Sequence, residues 1–221
     1  MSISVLFSVL LALTAILFSV FPVLSKPIPS PLDPAWHYQL GLCFFQQGQL
    51  DEALKEQKKA VDLNAYYFNA RYQIAFLYQL QGNIPQAVSA YEELIDIKPD
   101  YVQAHVNLGT LKRRQGDIKS AEAQYKKAIE LSFYLVAAHF NLANVLVDEG
   151  RLDEALSELK ICLKLDPANA FVHNNLGVIY QRRKYLEEAE EEFLRAMNLE
   201  PANKMFMDNY EIVHKQLNKK P

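Results

Sequence analysis

Between residues 34 and 203, apolar side chains recur at intervals of three and four positions, and glycine or proline interrupts this pattern at regular distances. Such intervals place side chains on one face of an α-helix, because a helix turns once in about 3.6 residues. The pattern therefore predicts a series of short amphipathic helices, each of which buries one face.

The helical pattern itself returns every 34 residues, so that five copies follow one another without a gap. With positions counted from 1 to 34 in each copy, position 8 is Gly or Ala and position 20 is Ala throughout. Position 15 is Gly in four copies and Lys184 in the fifth, and glycine there lets the first helix end. Each copy is predicted to be a helical hairpin that must stack on its neighbours to bury its apolar faces. The copies are 34–67, 68–101, 102–135, 136–169 and 170–203.

These positions resemble the tetratricopeptide repeat family, which has Gly or Ala at position 8, Ala at 20, an aromatic residue at 24 and Pro at 32. Here position 24 includes Tyr91, Tyr125 and Phe193, whereas Ala65 and Phe133 replace proline at position 32. The resemblance covers the chain from residue 34 onwards. It implies a solenoid in which positions 2, 5, 6, 9, 12 and 13 of the first helices line a concave groove for a protein partner.

After the fifth copy, residues 204–221 are predicted to form a capping helix and a short tail. One face of this helix is apolar and the rest is polar, as expected for an element that covers the last repeat and meets water. The apolar stripe consists of Phe206, Tyr210, Val213 and Leu217.

The beginning of the chain has a different character. Residues 3–24 include no charged side chain, and as a helix they would span about 33 Å, close to the roughly 30 Å of bilayer hydrocarbon. We expect residues 1–25 to be a membrane anchor or uncleaved signal that contacts lipid through residues 3–24, and residues 26–33 to be a proline-rich spacer. A cleaved signal peptide and a helix buried in protein are the alternatives.

The predicted fold class is accordingly all-α, with five helix-turn-helix repeats, a C-terminal capping helix and an N-terminal transmembrane helix. The chain is expected to be a single-pass membrane protein. Its repeat domain is placed on the cytoplasmic or stromal side of the membrane, with a periplasmic or secreted location as the alternative.

Composition argues against catalysis and against nucleic-acid binding. The net charge is -3 and the isoelectric point is about 6.0, which gives no bulk attraction to nucleic acid. All 7 glycines fall at position 8 or 15, so none remains for a phosphate-binding loop. We therefore expect no enzymatic activity, no cofactor, no metal and no small-molecule substrate.

Four histidines recur at position 4, which raises the question of a metal site. Equivalent helices of successive copies should lie about 10 Å apart, whereas zinc ligands each approach the metal to about 2.1 Å. The histidines, His37, His105, His139 and His173, are therefore predicted to pack between copies. Cys43 and Cys162 fall in apolar helical patterns and are expected to be buried thiols.

The predicted partner-binding groove combines three kinds of side chain. Position 6 carries a carboxamide in every copy, which could bind the backbone of an extended peptide or, as an equally open alternative, bond locally. Aromatic residues near the N-terminal end and arginines further along suit a partner with apolar anchors and a carboxylate, unless the spacer covers the aromatics. The groove residues are Tyr38, Gln39, Phe45, Tyr72, Gln73, Phe76, Asn107, Arg113, Arg114, Asn141, Asn144, Asn174, Asn175 and Arg182.

These features together predict a membrane-tethered scaffold that binds a protein or peptide segment and assists assembly of a membrane complex. The layout is similar to membrane-anchored tetratricopeptide repeat proteins that assist assembly of photosystem I in cyanobacteria and plastids. Two alternatives remain open. One is a secreted or periplasmic protein of cell-envelope, pilus or cell-wall biogenesis, and the other is a regulatory subunit of an enzyme complex.

Overall fold

The structure, a computed structural model, describes residues 30–218, and these residues form eleven α-helices joined by short turns. Each predicted copy holds a first helix of 13 residues and a second helix of 14 residues. The helices are α1 Pro34–Gln46, α2 Leu50–Leu63, α3 Phe68–Leu80, α4 Ile84–Ile97, α5 Val102–Arg114, α6 Ile118–Leu131, α7 Val136–Asp148, α8 Leu152–Leu165, α9 Ala170–Arg182, α10 Leu186–Leu199 and α11 Lys204–Leu217.

The turn inside each hairpin depends on a residue with a left-handed backbone at position 15. Gly48, Gly82, Gly116 and Gly150 have φ values of 75°, 74°, 82° and 76°. Glycine adopts this conformation without a steric penalty because it has no Cβ atom. In the fifth copy Lys184 takes the same place at φ 67°, so the fold imposes on a lysine the conformation that glycine supplies elsewhere.

Close contact between the two helices of a hairpin depends on the small residue at position 8. A methyl group at Gly109 would lie 2.8 Å from Tyr125, and one at Gly177 would lie 2.7 Å from Phe193. The aromatic rings at position 24 therefore pack directly on the backbone of the first helix. The alanines at position 20 are also fully buried, so the core lies between the first and second helices of the hairpins.

Successive copies stack so that their first helices are neighbours. Among the described helices, α5 contacts α7, α7 contacts α9 and α9 contacts α11, whereas second helices of successive copies have no comparable contact. First helices that lie closer together than second helices form the inner side of a curved stack. The first helices, which carry the side chains that the sequence assigns to a groove, therefore form the inner side of the solenoid.

The capping helix α11 has the predicted amphipathic arrangement. Phe206 and Val213 are fully buried, and Tyr210 and Leu217 pack beside Phe193 of the fifth copy. The solenoid thus ends in a helix that covers the last hairpin with one face and meets solvent with the other.

The predicted fold class is wrong in its transmembrane helix. From residue 30 to residue 218, no helix is long and apolar enough to cross a membrane. The apolar stretch 3–24, on which that prediction was based, lies outside the described residues, as do residues 26–29 of the spacer. The fold is corrected to an all-α solenoid of hairpins with a C-terminal cap.

Candidate peptide-binding groove

The inner face changes in character along the solenoid. On α1 and α3 the groove positions carry aromatic, aliphatic, small and carboxamide side chains, and none of them is charged. From α5 to α11 the same positions carry four cationic and two acidic side chains, so this half has an excess of positive charge although the whole chain is negative. The charged residues are Arg113, Arg114, Asp148, Arg182, Asp208 and Lys215.

The uncharged half contains a contiguous group of aromatic rings, which we call the aromatic patch. The ring of Tyr72 stacks on Tyr101 and on Phe76, with centroid distances of 5.3 Å and 6.3 Å. Phe45 meets Phe76 at 6.0 Å, which joins the first copy to the second. The patch consists of Tyr38, Phe45, Tyr67, Tyr72, Phe76 and Tyr101, and all six are half-buried.

Sequence reasoning missed Tyr67 and Tyr101, which complete this patch. Both occupy position 34, immediately before a first helix, and Tyr67 lies 5.3 Å from Tyr38. An aromatic residue at position 34 in the first two copies only was the signal that could have found them.

Burial raises the pKa of the tyrosine hydroxyls of the patch above a value at which they are already protonated. It raises the pKa of Tyr72, and it raises the pKa of Tyr101 to about 12, to which the nearby hydroxyls of Tyr72 and Tyr38 also contribute. These hydroxyls therefore remain hydrogen-bond donors at any physiological pH.

The carboxamides at position 6 divide into two groups. Asn107 donates to the hydroxyls of Tyr72 and Tyr91 at 2.9 Å each, and Asn175 donates to Asn144 at 2.5 Å. In the capping helix, Asn209 donates to Asn174 at 2.7 Å. Asn107, Asn175 and Asn209 therefore join their helices to the preceding copy. For these three, the structure shows the local bonding that the sequence gave as the alternative to peptide binding.

The other three carboxamides of this row are unpaired within the described part of the chain. Gln39, Gln73 and Asn141 make no hydrogen bond to another described residue. Gln39 is exposed, and Gln73 and Asn141 are half-buried. Each presents a free donor and a free acceptor to the groove.

The predicted arginines also differ in what they contact. Arg113 pairs with Asp148 of the next copy at 2.6 Å, and Arg182 donates to the carbonyl oxygen of Val147 at 2.7 Å. Arg114 is exposed and has no hydrogen bond or ion pair to any residue from 30 to 218. Of the three, Arg114 alone presents an uncommitted guanidinium to the groove within this region.

Three of the four histidines of position 4 lie at junctions between copies, and His37 lies between the spacer and the first copy. His139 donates from Nε2 to the carbonyl oxygen of Phe133 at 2.8 Å, while its Nδ1 lies 2.6 Å from the Glu158 carboxylate. His37, His105 and His173 contact the equivalent carbonyl and the equivalent position 23 in the same way. In the second copy Arg71 binds the corresponding carbonyl of Ala65 at 2.6 Å. These side chains thus fasten the end of one copy to the hairpin of the next, and within residues 30–218 no group of three potential ligands could hold a metal ion.

The two cysteines belong to the helix packing. Cys162 is fully buried, and burial raises the pKa of its thiol to about 12. Cys43 is half-buried, and burial also raises the pKa of its thiol. Both thiols are therefore protonated at neutral pH.

The geometry defines an α-solenoid interaction domain with a side-chain-lined inner groove. Tetratricopeptide repeat models match residues 33–100, 66–132 and 170–203, and a TPR repeat model matches residues 143–184. The chain belongs to the tetratricopeptide repeat family. These matches indicate no catalytic family, and members of this family typically act as scaffolds for protein–protein interaction.

Solved structures share this fold at low sequence identity. YrrB, described as a TPR protein with an unusual peptide-binding site, is 22% identical with a TM-score of 0.68, covering 90% of this chain and 97% of its own. MamA from Desulfovibrio magneticus RS-1 is 18% identical with a TM-score of 0.70, covering 79% and 98%. TTC0263, a TPR protein from Thermus thermophilus, is 20% identical with a TM-score of 0.61, covering 81% and 98%. No curated protein sequence matches the chain.

Proposed function

We propose that this protein is a scaffold that holds an extended segment of a protein partner along the inner face of the solenoid. The observation that carries the proposal is the row of unpaired carboxamides, Gln39, Gln73 and Asn141, on a face where other polar side chains of the same row are bonded. A carboxamide offers both a donor and an acceptor, which is what the backbone of an unpaired extended segment requires.

The spacing of the helices is compatible with this ligand. Packed helices lie about 10 Å apart, and an extended chain advances about 3.3 Å per residue, so one copy corresponds to about three ligand residues. The aromatic patch adds apolar area beside the first two rows, which can anchor side chains of the same segment. The peptide-binding site described for YrrB makes the proposal reasonable for this fold, although that site belongs to YrrB.

A display selection tests the proposal directly. A library of random peptides of about 12 residues, enough to span about four copies when extended, is selected on the full chain, and enriched peptides are measured by fluorescence anisotropy. We expect Asn141→Ala to weaken an enriched peptide about 2- to 12-fold, because one hydrogen bond contributes about 0.5–1.5 kcal/mol. Lys160→Ala, an exposed change on the second helix α8, is the matched control.

The choice of Asn141 matters because it makes no hydrogen bond to another described residue. Asn107→Ala and Asn175→Ala would also remove bonds between copies, so a loss of affinity there could come from a disturbed solenoid. Unchanged affinity in Asn141→Ala and in a Gln73→Ala, Asn141→Ala double variant would show that enriched peptides bind elsewhere.

The sequence also predicted a partner from a membrane complex and a cytoplasmic or stromal location. The membrane partner was predicted from the residues before 30, and the location was predicted from the free thiols and the family resemblance. The chemistry of the groove alone therefore defines the partner in this proposal. Cell fractionation with an antibody to the repeat domain would test the location separately.

A further inference from the structure

We propose that the groove selects a segment in which an aromatic or large apolar side chain is followed or preceded by a carboxylate about three to six residues away, with the carboxylate bound by Arg114. This inference rests on the proposed function, since it names the chemistry of the ligand that the groove would hold. Three independent features of the inner face lead to it.

The first feature is the division of the inner face into an uncharged half and a positive half. The groove positions of α1 and α3 have no charged side chain, and the half-buried rings of the aromatic patch lie among them. A charged ligand residue would lose water there without gaining an opposite charge, whereas an apolar residue gains contact area. The uncharged half therefore favours aromatic or aliphatic anchors.

The second feature is the availability of Arg114. Its neighbour Arg113 is paired with Asp148, and Arg182 is bonded to a backbone carbonyl. Lys112, in the same turn of α5, pairs with Glu92 at 2.8 Å. Arg114 lacks any such partner within residues 30–218, and a guanidinium binds a carboxylate through two parallel hydrogen bonds.

The third feature is the distance between the two halves. Phe76 lies on α3 and Arg114 on the next first helix, α5, which is one helix-packing step of about 10 Å. Phe45 on α1 is two steps away. At about 3.3 Å per residue, an extended segment covers these distances in about three and about six residues.

The same display selection, performed on the full chain with random peptides of about 12 residues, tests this inference. We expect Asp or Glu to be enriched about three to six residues from an aromatic or large apolar residue. Arg114→Glu should weaken such peptides by about tenfold or more, because it replaces a charge-assisted contact with repulsion. Selection on that variant should enrich Lys or Arg at the same offset, and Arg114→Lys should retain part of the binding.

Lys119→Glu is the matched control, because it makes the same change in net charge at an exposed site on the second helix α6. We expect its affinity to stay within about twofold of wild type, because Lys119 is not at a groove position. Equal losses in the two variants, or enriched peptides without an acidic preference, would overturn the inference and leave peptide binding intact. Failure to enrich any peptide would count against the proposed function and the inference together.

Discussion

At the scale of single residues, the histidines of position 4 show how a repeated polar residue can be structural. Each uses both ring nitrogens, one on a carbonyl oxygen six residues earlier and one on the second helix of its own copy. That carbonyl belongs to the preceding copy for His105, His139 and His173 and to the spacer for His37. A carbonyl oxygen at a buried junction needs a donor, because an unpaired polar group loses its hydrogen bond to water on burial. The imidazole supplies that donor where no backbone N–H of residues 30–218 reaches the carbonyl oxygen.

Replacing His139 with alanine should therefore lower stability and leave the metal content unchanged at zero. The ring is 1% exposed, and its removal leaves the Phe133 carbonyl and one oxygen of Glu158 without their partner. We expect a loss of about 2–4 kcal/mol in the free energy of unfolding, measured by urea denaturation.

The control for this experiment is His214→Ala on α11. His214 pairs with Glu190, but its side chain is 50% exposed, and exposed pairs contribute about 0–1 kcal/mol. A loss for His139→Ala no larger than that for His214→Ala would mean that the junction bonds do not contribute to stability. Bound zinc in the wild-type protein, detected by mass spectrometry, would contradict the structural role.

At the scale of the hairpin, the left-handed backbone at position 15 predicts opposite changes in stability for substitutions at two equivalent positions. Lys184 and Gly150 both have a left-handed backbone, with φ values of 67° and 76°. A side chain in this conformation costs about 1–2 kcal/mol, whereas glycine adopts it freely. Lys184→Gly should raise the free energy of unfolding by about 0.5–1 kcal/mol after the added chain entropy of glycine is subtracted.

Gly150→Ala should destabilise the protein by a similar amount, as measured by thermal and urea denaturation. No atom lies within 4 Å of a methyl group placed there, so the effect would come from the backbone alone and not from a clash. If both substitutions changed stability in the same direction, the backbone conformation would not be the cause.

The hairpins were predictable from the sequence because their determinants are local and recur. Gly at position 15 and Ala at position 20 occur at the same place in successive copies, so each copy supports the interpretation of the others. The bonding of the carboxamide row was not predictable, because it depends on side chains in the neighbouring copy. Asn107 meets Tyr72 and Tyr91 there, whereas Asn141 has no described residue to bond.

The free guanidinium of Arg114 could not be predicted from the sequence either. Arg113 and Arg114 are adjacent and have the same chemistry, and only the direction of each side chain decides which one reaches Asp148. The aromatic patch was partly predictable, since four of its members lie at groove positions. Tyr67 and Tyr101 escaped notice because they precede the helices that the groove pattern describes.

At the scale of the whole molecule, stability should be transmitted between neighbouring hairpins only. Each copy contacts the one before and the one after, so the free energy of the solenoid is approximately a sum of hairpin and interface terms. The last hairpin has one interface with α11 in place of a sixth copy. Loss of that interface should therefore lower the stability of the C-terminal end more than that of the groove.

Phe206→Ala tests this expectation through hydrogen exchange. Phe206 is fully buried and meets Phe171 edge-on at 5.2 Å, so its truncation should cost about 3–5 kcal/mol locally. We expect faster amide exchange in α9, α10 and α11, because their shared core loses its largest side chain, and unchanged exchange in α1 to α4. The exposed substitution Met207→Ala on the same helix is the control. Uniformly faster exchange in every copy would show instead that the solenoid unfolds as one cooperative unit. Binding of a groove peptide would then depend on the cap as strongly as on the groove itself.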